Sequence, residues 1–66
     1  MGETKYGVGQ RVRSIYSPFY YRVESILVTD RLNPDENVYL LISDTGVRTT
    51  AEEGELISLA EFYGMN

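Results

Sequence analysis

Asp44 lies in the run Leu40-Leu41-Ile42-Ser43-Asp44-Thr45-Gly46, where a carboxylate follows a short apolar stretch and precedes a glycine. Two such aspartates, one from each copy of a dimer, could share a proton and activate a water molecule. The same residues also make a tight turn between strands, because Gly46 is free to take positive φ, and the turn is the preferred reading. Asn33, Asp35 and Asn37 have the alternate spacing that opens a calcium loop. That frame needs a glycine next and a glutamate at its twelfth position. Here those places hold Val38 and Asp44. Asn33-Pro34-Asp35 therefore reads as an ordinary turn, with Pro fixing φ and the flanking side chains capping their own backbone. Glu52-Glu53-Gly54-Glu55 reads as a solvated charged loop.

The chain has no His and no Cys. The commonest general base, the thiol nucleophile and the usual zinc ligands are therefore missing. Gly7 and Gly9 lack the rest of any phosphate-binding loop. No catalytic constellation is visible, so the chain is expected not to be an enzyme and to need no metal or cofactor.

Aromatic side chains carry more information. Tyr16, Phe19, Tyr20 and Tyr21 fall within six positions around Pro18. On a strand Tyr20 and Tyr21 point to opposite faces, so one can join a core while the other stays at the surface. Exposed aromatics on one rim can stack on bases, hold prolines or cage cations. The competing reading is that they plug one end of a small core. Tyr16, Phe19, Tyr20 and Tyr39 are the candidate binding residues. Arg11, Arg13 and Arg22 are candidate phosphate contacts on adjacent strands.

The formal net charge is −4. Residues 1–31 hold five basic and three acidic side chains, whereas residues 32–66 hold one basic and seven acidic. An acidic total opposes a general grip on nucleic acid, which needs clustered cations. It serves solubility or supplies an acidic patch for a basic partner. No apolar run approaches the roughly 20 residues that span a bilayer as a helix, so no membrane association is expected. The absence of Cys and of a hydrophobic leader fits a cytoplasmic protein.

The elements that position these side chains read as strands. Sixty-six residues make one small domain. Residues 1–7 read as a flexible leader and 8–66 as a single domain. Residues 10–16 form a first strand, ended by the Ser17-Pro18 turn. Residues 20–29 form the strongest strand, rich in Tyr, Val, Ile and Thr. Its apolar set Val23, Ile26 and Val28 shifts phase near Ser25, which calls for a bulge. Residues 38–43 and 47–51 pair across the Asp44–Gly46 turn. A brief strand near Leu56-Ile57 follows. Then comes a helical or 3₁₀ turn, with Ser58 and Glu61 spaced as a capping box and Gly64 closing it.

Three features together resemble the Tudor family within the SH3-like barrels: the Val8-Gly9-Gln10 entry, the Tyr20-Tyr21-Arg22-Val23 strand start, and the apolar strand Val38–Ile42 ending in Asp44-Thr45-Gly46. Glu55-Leu56-Ile57-Ser58-Leu59 resembles the family's closing segment. The resemblance implies an all-β fold, a small five-stranded, strongly bent barrel. It also implies a binding module whose aromatic cage takes methylated Lys or Arg, with Tyr16 and Tyr20 at two cage positions. The third cage position is Thr45 here. The opening and the Glu55-Leu56 close also resemble the RNA-polymerase-interacting domain of CarD-type bacterial transcription factors, which docks by a strand edge. Asp44-Thr45-Gly46 after its apolar run resembles the signature of retroviral-type aspartic proteases, but the chain lacks the length for their flap and second glycine motif.

The leading expectation is thus a non-enzymatic protein-interaction module, a regulatory or accessory factor that binds by an aromatic rim and a strand edge. The alternative is a nucleic-acid-binding SH3-like domain using Arg11, Arg13, Arg22 and the tyrosines. Self-association into a homodimer is a further expectation for so small a domain.

Overall fold

The computed structural model describes residues 4–64. Five strands follow one another: β1 (Arg11–Ser14), β2 (Tyr20–Val28), β3 (Val38–Ile42), β4 (Arg48–Glu52) and β5 (Leu56–Ser58). Helix α1 (Leu59–Gly64) comes last, and 3₁₀ turns cover Pro34–Glu36 and Glu53–Glu55. The strands make one antiparallel sheet in the order β4-β3-β2-β1-β5. The all-β expectation and its five strands are found, each within a residue or two of the expected span except the first, which is shorter.

The connection between the two edge strands bends this sheet. In a flat sheet four interstrand steps of about 4.8 Å would hold β4 and β5 roughly 19 Å apart. Only the three residues Glu53–Glu55 join them. Four residue steps reach roughly 14 Å fully extended, and less when wound as a 3₁₀ turn. The sheet must curl until its edges approach. Strand β2 supplies the bend: its pairing with β3 slips between Val23 and Ser25 and again between Ile26 and Val28. The phase shift at Ser25 marks the first slip, and each extra residue increases local twist.

The core is thin, as expected for this length. Tyr6, Val12, Val23, Tyr39, Leu41 and Leu56 are buried, with Tyr21, Ile26 and Ala51 packed against them. Tyr39 and Leu41 alternate with half-buried Val38, Leu40 and Ile42 along β3, the pattern of a strand with one inner face.

Three expectations need correction. Lys5 and Tyr6 do not belong to a loose leader. The Tyr6 ring meets Tyr39 edge-on at 5.7 Å, and its hydroxyl donates to the Leu56 carbonyl at 2.9 Å. Tyr39 is fully buried, so it is a core residue and no part of a rim. Glu53 is buried too, although its neighbours in the acidic run suggested a solvated loop. Its Oε1 accepts from the Lys5 N–H (2.9 Å), the Asn37 side-chain amide (3.2 Å) and the Tyr39 hydroxyl (2.5 Å). Burial alone pushes this carboxyl up, but those hydrogen bonds outweigh it and hold Glu53 below its ordinary value. A buried carboxylate is tolerated only with such donors, and among the described residues no buried side-chain polar atom lacks a partner.

Candidate functional site

Two turns at one end of the sheet frame an open groove of about 480 Å³. One wall is Pro18, Phe19, Tyr20 and Tyr21, where the β1–β2 turn enters β2; the other is Ser43, Asp44, Thr45 and Val47 of the β3–β4 turn. Local chemistry fixes both walls. The Ser14 and Ser17 hydroxyls accept from the Tyr16 and Phe19 N–H groups at 3.1 and 3.3 Å. Ser17 also gives its carbonyl to Arg13 Nε at 3.2 Å. Opposite, the Ser43 hydroxyl accepts from the Val47 N–H at 3.1 Å, and the Gly46 N–H donates to the Ser43 carbonyl at 3.0 Å. Gly46 has φ of 85°, a left-handed conformation that glycine adopts without strain.

The groove is mostly apolar with a polar rim. Phe19 is 63% exposed, Tyr20 43% and Val47 61%, which is unusual for large apolar side chains so close together. Asp44 is exposed in the same wall. It makes no ion pair among the described residues, and no second carboxylate lines the groove with it. The proton-sharing arrangement considered for Asp44 therefore has no partner within this chain. Tyr16 is 78% exposed and does not line the groove that Tyr20 lines.

A smaller cavity of about 160 Å³ continues past Tyr20, Tyr21 and Asp44 to Arg11, Arg22, Leu59 and Tyr63. Helix α1 builds this end. Ser58 caps it, its hydroxyl accepting from the Glu61 N–H at 3.1 Å. The Glu61 side chain returns to the Ser58 hydroxyl at 3.1 Å, a variant of the expected capping box. Phe62 then lies under the Arg13 guanidinium at 4.3 Å, and the Tyr63 hydroxyl donates to that of Tyr20 at 3.4 Å. That bond raises Tyr63 above its ordinary value.

Arg11, Arg13 and Arg22 share one sheet face, because Arg11 and Arg13 are two apart on β1 and Arg11 pairs directly with Arg22. They are not equivalent. Arg13 is half-buried and engaged by Ser17, Tyr20 and Phe62. Arg11 and Arg22 are exposed. The roles of Phe62, Tyr63 and Val47 were not foreseen from the sequence. Leu56, Leu59, Ala60 and Tyr63 are spaced as a helical stripe, a pattern that signals packing and not a rim.

Among the described residues no group of His, Cys, Asp and Glu could hold a metal ion, and no helix is long and apolar enough to cross a membrane. No family model matches this chain, and no curated protein or solved structure matches it to a significant degree.

Proposed function

We propose that this chain is a non-enzymatic protein-interaction module with an SH3-like, Tudor-like architecture, which holds a partner segment in the groove between its β1–β2 and β3–β4 turns. The observation that carries the reading is the pairing of exposed Phe19 and Tyr20 with Val47 across that groove, ringed by Ser43, Asp44 and Thr45. Burying such aromatic anchors under a partner is the commonest source of binding energy at an interface. The bent β2, the return of β5 to β1 and the 3₁₀ turn before β5 support the architecture. An outer edge of β4 offers unpaired backbone groups as a further contact.

Capture from native cell lysate, with and without nuclease, tests this. Wild type, Phe19→Ala, Tyr20→Ala and Tyr16→Ala serve as baits. A partner that survives nuclease, is lost with Phe19→Ala and Tyr20→Ala, and is kept by Tyr16→Ala supports the groove. Equal capture by folded Phe19→Ala and Tyr20→Ala excludes it. A second reading rests on the adjacent Arg11 and Arg22: binding to nucleic acid, with the tyrosines stacking on bases. Its signature is loss of the partner on nuclease treatment and a steep fall in affinity with salt.

A further inference from the structure

Arg11 and Arg22 face each other directly across the β1–β2 ladder. Cβ atoms so placed lie about 5 Å apart, and like charges there repel. Of the other four cations three are already occupied, and the fourth, Arg31, lines neither the groove nor its continuation. Lys5 reaches Glu61 at 3.4 Å, and Arg13 is stacked on Phe62. Arg48, across the sheet, is held by Glu24 at 2.7 Å. Among the described residues no carboxylate comes within ion-pair distance of Arg11 or Arg22. A chain with ten acidic side chains thus leaves two facing arginines unneutralised. They open onto the cavity that runs into the aromatic groove.

We infer that Arg11 and Arg22 form a subsite for one carboxylate of an acidic partner segment whose neighbouring apolar side chain lies against Phe19 and Val47. The inference rests on the groove being a protein-binding site and names the chemistry of what enters it. Two guanidinium forks side by side match the two oxygens of one carboxylate, and the incoming charge removes the repulsion between them. Charge complementarity favours a single acidic side chain over a polyanion. Among the described residues Arg11 and Arg22 are the only cations lining the groove and its continuation; with Asp44 in the same cavity the local balance is two positive charges against one negative, which one carboxylate can satisfy and a run of phosphates cannot. Spacing follows from the strand. Phe19 and Tyr20 precede Arg22 by three and two positions, roughly 7–10 Å of extended chain. The apolar residue and the acidic residue of the partner should therefore be two or three positions apart.

The test uses the whole chain, labelled with ¹⁵N, and the capped hexapeptide Gly-Pro-Leu-Ala-Glu-Gly beside its Gln-for-Glu counterpart. The Glu peptide should shift the Nε–Hε signals of Arg11 and Arg22 and the amides of Phe19 and Val47. The Gln peptide should bind roughly fivefold more weakly, the loss expected for a partly solvated charge-assisted contact. Arg11→Gln and Arg22→Gln should abolish that difference between the peptides while leaving the amide spectrum dispersed. Equal affinity for the two peptides overturns the subsite. So do silent arginine signals with responding Phe19 and Val47, a result that leaves the groove itself standing. A thymidine dodecamer that binds more tightly than the Glu peptide, with affinity collapsing between low and moderate salt, also overturns it, in favour of nucleic acid.

Discussion

Tyr39, on the inner face of β3, donates a 2.5 Å hydrogen bond to Glu53, in the 3₁₀ turn that joins the sheet's two edges. The same carboxylate oxygen receives the Lys5 N–H and the Asn37 amide, and the Tyr39 hydroxyl accepts from the Tyr6 N–H at 3.3 Å. One acid therefore ties together the segment before β1, the start of β3 and the closure between β4 and β5. It stabilises the curl that brings the groove-forming turns to one end.

Glu53 should govern the acid limit of the fold. Its carboxyl is held below the ordinary 4.5, burial being outweighed by three donors. A depressed folded-state value contributes stability that is complete above about pH 4.5 and lost as pH falls through the folded value. Glu53→Gln should cost about 2–3 kcal/mol at neutral pH, because a charged acceptor is lost from buried donors. It should also flatten the decline in stability below pH 4.5. Urea denaturation at pH 7 and at steps from pH 5 to pH 2 checks both, and parallel acid limbs for wild type and variant would refute the assignment.

Tyr39 should ionise well above the ordinary range of a tyrosine. Burial, then the bond to Glu53, push its hydroxyl from 10.0 up to about 12. A raised value means the opposite sign on the pH axis. The contribution is complete below about pH 10 and disappears as pH rises through about 12. Absorbance titration of the phenolates should show a late step that Tyr39→Phe removes. The variant should lose about 1–2 kcal/mol at neutral pH through the missing bond to a carboxylate.

Gly46 sets one wall of the groove. At φ of 85° a Cβ is strained by the backbone alone, although nothing lies within 4 Å of where it would stand. Gly46→Ala should cost about 1–2 kcal/mol, while Gly46→Asn should cost less, since Asn tolerates that region better. Thermal melts of the three proteins give the order directly, and Ala melting above Asn would contradict it. Gly54 makes a useful contrast. Its Cβ would meet the Asp35 Cβ at 3.3 Å, so any cost of Gly54→Ala comes from crowding where the two 3₁₀ turns touch and not from the backbone.

The strands were legible because their patterns are local. Pro18, the Asn33-Pro34-Asp35 turn and Asp44-Thr45-Gly46 punctuate apolar runs at strand length, and the phase slip at Ser25 announced the bulge. Tyr6, Tyr39 and Glu53 were misread for one shared reason. Each is polar-tipped or charged, and its burial depends on partners 14 to 50 positions away that no window along the chain reveals. The sequence leaves Phe19 and Tyr20 open between an exposed rim and a core plug; the structure exposes both beside the Pro18 turn. The groove's far wall and the contribution of α1 depend on which turns the curled sheet brings together, and pairing register carries that information. The same holds for Arg11 and Arg22, eleven positions apart, whose facing placement follows from the length of the β1–β2 turn.

That facing placement should be visible in stability as well as in binding. Two unneutralised guanidinium groups opposite each other cost the free protein something that a structure optimised for stability alone would not retain. Arg22→Gln removes the repulsion, touches no core side chain, and should stabilise the fold by roughly 0.2–1 kcal/mol at low salt. Added salt screens exposed charges, so the gain should shrink as ionic strength rises from about 0.01 M to 0.5 M. Arg48→Gln is the opposite case: it breaks the pair with Glu24 and should be neutral or slightly destabilising over the same range. Melting both variants against wild type at two salt concentrations separates the cases. A destabilised Arg22→Gln, or a gain that ignores salt, would show that the two arginines do not oppose each other in the free protein. A salt-sensitive gain would mark the pair as a stability cost that an incoming anion relieves.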